Sequence, residues 1–436
     1  MSSTTNTDTI TLKAQCLCRA HSFTTSVPVS ALPLKGSSCH CTSCRHVTGA
    51  LRASDAVWPG PSGDILSAAA AAENGTGTVP LKRYPHSPRV NVLFCGRCGS
   101  GLFFEEGWEQ GAAAGLGSRP GEAKYLVFTG ALSVDVGGEA WRGGLPPLVR
   151  GDHIFVGDTV DGGAVGWLRG VNGDGEPARV WLGRRDKSEE VPPGVAWPAV
   201  GSLPAYGVDL KAAEGNKGDV PIRCHCRGID LVLRAGEAQR EFEEMQRKGE
   251  ELPWFVDPVT HKGMGSLDAC DSCRIAAGSE VYNWTFALLR HISFAGADPQ
   301  GFPEDTAHLR AATSAKEGEA RDPRFGTIAF YASSPDVQRY FCGRCSATLF
   351  YAVDERPDIV DVAVGLLDSP DGARAESAIS WSFGGEMSWR RDMIGTWRER
   401  MLYAVEKEAE EWRVERGYPK GWRRVAKEQA QKAGGN

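Results

Sequence analysis

The 436-residue sequence contains no long hydrophobic run; nothing in it approaches the roughly 18 apolar residues that a membrane-spanning helix needs. It also has little to attract a polyanion. The net charge is −6 and no basic run stands out before the C-terminal tail, which argues against nucleic acid as the main partner. The N-terminal stretch MSSTTNTDTITLK lacks the apolar segment of a secretory signal, so a cytoplasmic, reducing environment is the expectation. In such an environment 13 cysteines, odd in number and closely paired, read as metal ligands rather than disulfides.

What is present points to a β-rich protein of more than one domain. The chain is too long for a single ordinary core, and 41% apolar residues with 13 tryptophans suffice to build several. Fifty-three glycines and 25 prolines favour turns and short strands over a helical bundle.

The cysteines reveal a repeat. The first half reads Cys16-Leu-Cys18, Cys39-His-Cys41-Thr-Ser-Cys44-Arg45, Phe94-Cys95-Gly-Arg-Cys98 and Leu102-Phe103. The second reads Cys224-His-Cys226, Asp268-Ala-Cys270-Asp-Ser-Cys273-Arg274, Phe341-Cys342-Gly-Arg-Cys345 and Leu349-Phe350. All 13 cysteines fall into this scheme, seven in the first copy and six in the second. The separation of matching cysteines grows from 208 residues at Cys16/Cys224 to 247 at Cys95/Cys342, so the second copy holds insertions. One of them, Glu237–Glu251, is charged and helix-prone.

The organisation expected is a first zinc domain at 10–157, a Gly/Pro-rich linker at 158–217, a second domain at 218–388 and a helical tail at 389–436. Trp167, Trp181 and Trp197 suggest that parts of the linker pack. β-Prone runs at Ile10–Gln15, Ser22–Val29, Arg89–Phe94, Lys124–Val136, Gly228–Arg234 and Ile359–Leu366 surround the cysteines. Each Cys-x-Cys lies between two such runs, where a hairpin turn aims both sulfurs at one point. In the tail, Trp397, Met401, Val405 and Trp412 recur at helical spacing, as in a helix docked on a domain or one that binds a partner.

Two cysteine pairs make a closed tetrahedral zinc site, which staples strands and leaves no place for substrate. Cys16, Cys18, Cys95 and Cys98 form one such set, and Cys224, Cys226, Cys342 and Cys345 its counterpart. Cys39, Cys41 and Cys44 have no fourth cysteine. Three protein ligands and a vacancy is the arrangement of catalytic zinc, and a sulfur-rich site suits a sulfur ligand from outside. The alternatives are a His or Asp as fixed fourth ligand, or a triplet that binds no metal. Arg45 could offset the excess negative charge or orient an anionic substrate. In the second copy Asp268 stands in place of Cys39, beside Cys270 and Cys273, giving a weaker, harder donor set that reads as degenerate.

Each half resembles the glutathione-dependent formaldehyde-activating enzyme (GFA) family, which includes the centromere protein V group. The resemblance rests on Cys-x-Cys before a strand, on Cys-His-Cys-x-x-Cys-Arg with Gly49 nearby, and on Phe-Cys-x-x-Cys-Gly with a following Leu. Gly130-Ala-Leu132 and His153-Ile-Phe look like the family's closing strands. It covers about 10–157 and, more loosely, 218–388. It implies a mainly β architecture of two antiparallel β-tent zinc domains in tandem, with Zn(2+) as cofactor. It further implies that Cys16, Cys18, Cys95 and Cys98 are the structural set, and that Cys39, Cys41 and Cys44 hold the substrate-side zinc. The activity implied is that of a carbon–sulfur lyase on glutathione or small-thiol adducts. Cys39, Cys41, Cys44 and Arg45 are then the catalytic group, with His40, His46 and Asp55 as acid–base candidates by proximity in sequence. The rival reading is a non-catalytic zinc scaffold whose tail recruits a partner.

Overall fold

The computed structural model describes residues 9–75, 79–107, 123–135, 147–203, 218–296, 300–314 and 321–433. It is mainly β, with four sheets and, among the described residues, seven α-helices.

In the first half β1 (Thr9–Gln15) and β2 (Ser22–Pro28) flank Cys16-Leu-Cys18 as a hairpin, and β3 (Leu34–Cys39) runs into helix α1 (Thr42–Thr48). β4 (Ala53–Val57) and α2 (Gly63–Glu73) follow. A meander of β5 (Leu81–Ser87), β6 (Val90–Cys95), β7 (Gly101–Glu106) and β8 (Lys124–Phe128) comes next. A 3-10 turn at Thr129–Ala131 leads to β9 (Leu132–Asp135) and β10 (Val149–Ile154), and β11 (Val180–Trp181) and β12 (Glu190–Val191) extend the sheet.

The second half begins with β13 (Val220–Arg223), β14 (Asp230–Leu233), α3 (Ala235–Arg247), β15 (Gly263–Asp268) and α4 (Asp271–Ala277). It continues through β16 (Tyr282–Leu288), β17 (Ile292–Phe294) and α5 (Thr306–Thr313). A second meander, β18 (Ile328–Ser334), β19 (Val337–Cys342), β20 (Thr348–Val353) and β21 (Ile359–Ala363), is followed by β22 (Ile379–Trp381). Helices α6 (Glu399–Arg416) and α7 (Trp422–Ala433) close the chain.

The two large sheets share one strand order. The first runs β12-β11-β10-β3-β4-β8-β7-β6-β5, and the second, read from its far edge, β22-β15-β16-β21-β20-β19-β18. In both, the strand that leads into the short helix has one parallel neighbour (β3 with β10, β15 with β22) and one antiparallel neighbour. The small sheets differ. β1 pairs with both β2 and β9, whereas in the second half the match to Ala14–Leu132 shrinks to a single bridge, Ile222–Leu367, and β17 pairs with β14 instead.

The expected strand Lys124–Val136 is interrupted at Thr129–Ala131, and Ile359–Leu366 ends in a similar turn at Val364–Leu366; Val136 itself lies outside the described residues. The interruption has a tertiary cause. Gly130 donates its N–H to the Gly278 carbonyl at the end of α4 (3.0 Å), and Gly365 donates to the Gly49 carbonyl at the end of α1 (2.9 Å). A Cβ at Gly130 would sit 2.4 Å from the Arg274 carbonyl oxygen, and one at Gly365 2.2 Å from that of Ala50. Each half thus seats the other's short helix on a turn that only glycine allows.

Residues 158–203 join the halves and pack. Trp167 is fully buried, with Trp381 at 5.4 Å and Phe383 at 5.0 Å between ring centroids. Trp197 lies against a cluster of Val156, Val165, Val180 and Val191, while residues 204–217 lie outside the described set. The charged insertion forms α3, with Phe242 buried against Phe255 and His291. Helix α6 buries Met401, Leu402, Val405, Ala409 and Trp412 in the core shared by both halves. Among the described residues no helix is long and apolar enough to cross a membrane.

Candidate metal centres

Two four-sulfur clusters are built alike. The β1–β2 turn brings Cys16 and Cys18 to within 3.7 Å of each other, and the turn after β6 brings Cys95 to 3.5 Å from Cys18. The β13–β14 turn sets Cys224 and Cys226 3.6 Å apart, and Cys342 lies 3.8 and 3.5 Å from them. In each set, Cys98 or Cys345 included, all sulfurs lie within 4.8 Å of one another. A tetrahedral zinc with Zn–S bonds of about 2.3 Å requires sulfurs roughly 3.8 Å apart, so both sets can hold such an ion. Backbone N–H groups already point at sulfur, from His21 to Cys16 (3.3 Å) and from Ile229 to Cys224 (3.2 Å), which favours thiolate. None of the 13 cysteines forms a disulfide.

The first triplet sits where β3 meets α1. Cys39 ends the strand, Cys41 caps the helix and Cys44 lies in its first turn, so the three sulfurs converge within 4.8 Å. Cys41 accepts the Cys44 N–H at 3.3 Å and lies 3.5 Å from the Cys39 sulfur. Hydrogen bonds from the Cys39 and Cys44 thiols hold the Cys41 thiol far below its ordinary range, and the Cys41 contact pushes Cys39 up. Cys41 is the half-buried member and Cys39 and Cys44 are buried, so the cluster is approached from the Cys41 side. The Asp158 carboxylate caps the helix at the Thr42 N–H (2.5 Å). Its counterpart, Asp392, accepts the Asp271 N–H at α4 (2.9 Å).

Arg45 is buried one residue after Cys44. Its Nη2 donates to the Thr42 hydroxyl (3.2 Å), while Nε and Nη1 have no partner among the described residues. Arg274, at the equivalent place in α4, donates to the Ala269 carbonyl and is paired with Asp271. Two of the acid–base candidates suggested by sequence proximity, His40 and Asp55, hydrogen-bond to other residues. His40 Nε2 meets His153 Nδ1 at 2.8 Å, and both Asp55 oxygens accept the Ser37 hydroxyl at 3.0 Å. His46 is buried, and burial lowers its imidazole to about 4.

The imidazole that does reach the cluster is His86 on β5, whose Nε2 lies 3.8 Å from the Cys44 sulfur. Its ring is 4.6 Å from that of His225, in the Cys-x-Cys turn of the second half, and His225 Nδ1 meets the Tyr84 hydroxyl at 2.6 Å. The His225 N–H in turn donates to the His46 carbonyl (2.9 Å). The second half therefore forms part of the wall of the first triplet.

The second triplet has a different interior. Asp268, Cys270 and Cys273 also bring their donor atoms within 4.8 Å. The Asp268 carboxylate accepts the Cys270 N–H (2.6 Å), and the Cys270 sulfur lies 3.2 Å from the Ser272 hydroxyl. The Arg339 guanidinium enters from β19: Nη1 is 3.7 Å from the Cys273 sulfur, Nη2 donates to Ser272 (2.8 Å) and Nε to Ser333 (3.1 Å). The two meanders are in equivalent register, Leu81 opposite Cys95 and Ile328 opposite Cys342. Arg339 therefore occupies the place of Val92, and Ser333 that of His86. Carrying the constant 247-residue separation along these strands would have exposed both changes in the sequence, which the cysteine pattern alone does not.

The family model described as "Glutathione-dependent formaldehyde-activating enzyme" matches residues 11–118. No curated protein matches the chain. No solved structure matches it either.

Proposed function

We propose, for a chain whose residues 11–118 belong to the glutathione-dependent formaldehyde-activating enzyme family, that the first triplet is the active centre of a zinc-dependent carbon–sulfur lyase acting on glutathione or other small-thiol adducts. The observation that carries this reading is the unsaturated cluster of Cys39, Cys41 and Cys44, half open at Cys41 and flanked by Arg45 and His86. The three sulfurs would hold the zinc, which when bound supplies a Lewis-acidic position that stabilises a substrate thiolate. Arg45, whose Nε and Nη1 have no partner among the described residues, provides positive charge for a substrate carboxylate. His86 and His225 line the approach and place imidazole nitrogens where a thiol arrives.

In this reading the chain is a tandem pair of β-tent domains near 10–157 and 218–388, each held by a closed four-cysteine zinc site. The matching strand orders of the large sheets support it, as do the equivalent caps that Asp158 and Asp392, just beyond those boundaries, place on α1 and α4. A reducing, cytoplasmic setting belongs to the same reading, since all 13 thiols are free. The test is turnover of glutathione and formaldehyde to S-hydroxymethylglutathione, followed by NMR, with zinc analysis alongside. Cys41→Ser should lose one zinc and the activity while keeping the fold; normal turnover by this variant would remove the triplet from the mechanism.

A further inference from the structure

The first triplet has a counterpart in the second half, Asp268, Cys270 and Cys273, whose donor atoms also converge but whose chemistry differs. Three matched positions differ, and each changes the chemistry in the same direction. Asp268 replaces the soft sulfur of Cys39 with an oxygen that is already engaged by the Cys270 N–H. Ser333 replaces the imidazole of His86. Arg339 replaces the apolar Val92 and brings a permanent cation to the sulfurs.

We propose that the second triplet is a metal-free site in which the Arg339 guanidinium takes the place of the zinc ion. Its three nitrogens reach Cys273, Ser272 and Ser333, and its plane lies over the Tyr351 ring, 5.0 Å from the centroid. Arg339 is 5% exposed, so little solvent screens it from an incoming cation. A zinc bound to Cys273 at about 2.3 Å would sit beside a guanidinium that cannot give up its charge. Asp268, Cys270 and Cys273 surround the guanidinium with groups whose ionised forms, carboxylate and thiolate, would supply the opposite charge that a buried arginine needs. The guanidinium ties the first turn of α4 to β18 and β19, a cross-link of the kind a metal bound at a four-sulfur cluster would make.

The inference concerns zinc content and stands apart from the activity assigned to the first half. It is tested by counting zinc in the full-length protein, loaded with excess zinc and desalted, by native mass spectrometry. The wild type should hold three ions, Cys41→Ser two and Cys270→Ser the same three as the wild type. Placing the same cation in the first triplet with Val92→Arg should lower the count from three to two. Four ions in the wild type falling to three in Cys270→Ser would overturn the proposal, as would a folded Val92→Arg that keeps its third zinc. If Val92→Arg does not fold, the comparison of Cys270→Ser with the wild type decides alone, since any loss of zinc there contradicts a metal-free site.

Discussion

The Arg52 guanidinium meets the Glu280 carboxylate at 3.0 Å across the seam between the two halves, with side chains 1% and 4% exposed. Ser54 donates to the other Glu280 oxygen at 3.3 Å. Burial alone would raise the Glu280 carboxyl, yet its value is lowered because Arg52 offsets that cost. This ion pair lies in the same seam as the two glycine contacts. Breaking it on one side leaves a buried charge alone, which costs about 3–5 kcal/mol. Arg52→Met and Glu280→Gln should each lower the unfolding midpoint in urea accordingly, while the double variant recovers part of the loss. Single variants as stable as the wild type would show that the seam does not depend on this pair.

A second consequence concerns pH. Asp55 is buried on β4, and burial pushes its carboxyl up to about 7, even though the Ser37 hydroxyl favours the ionised form. A carboxyl raised in the folded state contributes fully below its ordinary value of about 4, and that contribution is lost as the pH rises to about 7. Asp55→Asn removes the titration and keeps the hydrogen bond. Its stability relative to the wild type should therefore rise across this window by up to about 4 kcal/mol and level off above it. Urea unfolding at several pH values measures the difference; a pH-independent offset would mean that Asp55 titrates normally.

The connector meets the end of the second half at Trp167, beside helix α6 of the tail. Truncation to alanine there removes a fully buried ring from between Trp381 and Phe383, at an expected cost of about 3–5 kcal/mol. Thermal unfolding should still show a single transition, because Trp167 and helix α6 belong to the core that both halves share. Separate transitions would mean that the tail folds independently.

His86 is the imidazole nearest the open cluster, and burial lowers it to about 4, so it is neutral at physiological pH. His86→Gln should reduce turnover of a glutathione adduct by about 100-fold or more if the ring handles the substrate proton. Zinc content should not change. Full activity in this variant would place His86 in the wall only.

Much of this arrangement can be read from the sequence, because it is carried by spacing. The Cys-x-Cys turns fall between strands with alternating burial, as in β1, where Ile10, Leu12 and Ala14 face inward. Both four-sulfur sets follow from pairing each turn with the Cys-Gly-Arg-Cys segment of its own half. What the sequence hides is what the seam creates. The β-prone runs around Gly130 and Gly365 extend through the turns, and only contact with the opposite helix explains the break. His225 reads as part of the second half's own turn, yet its ring faces the first triplet. The Gly- and Pro-rich connector is held by Trp167 and its neighbours, whose buried apolar area outweighs a loop-like composition.

The central claim is that the first triplet holds an ion with a position free for a thiol. The most direct measurement is the absorption spectrum of cobalt-substituted full-length protein titrated with glutathione. An additional thiolate should strengthen the sulfur-to-cobalt charge-transfer bands and saturate at one glutathione per chain, and Cys41→Ser should show no such response. A wild-type spectrum that stays unchanged with cobalt bound at Cys39, Cys41 and Cys44 would mean the site is closed, and the proposed chemistry would fall with it.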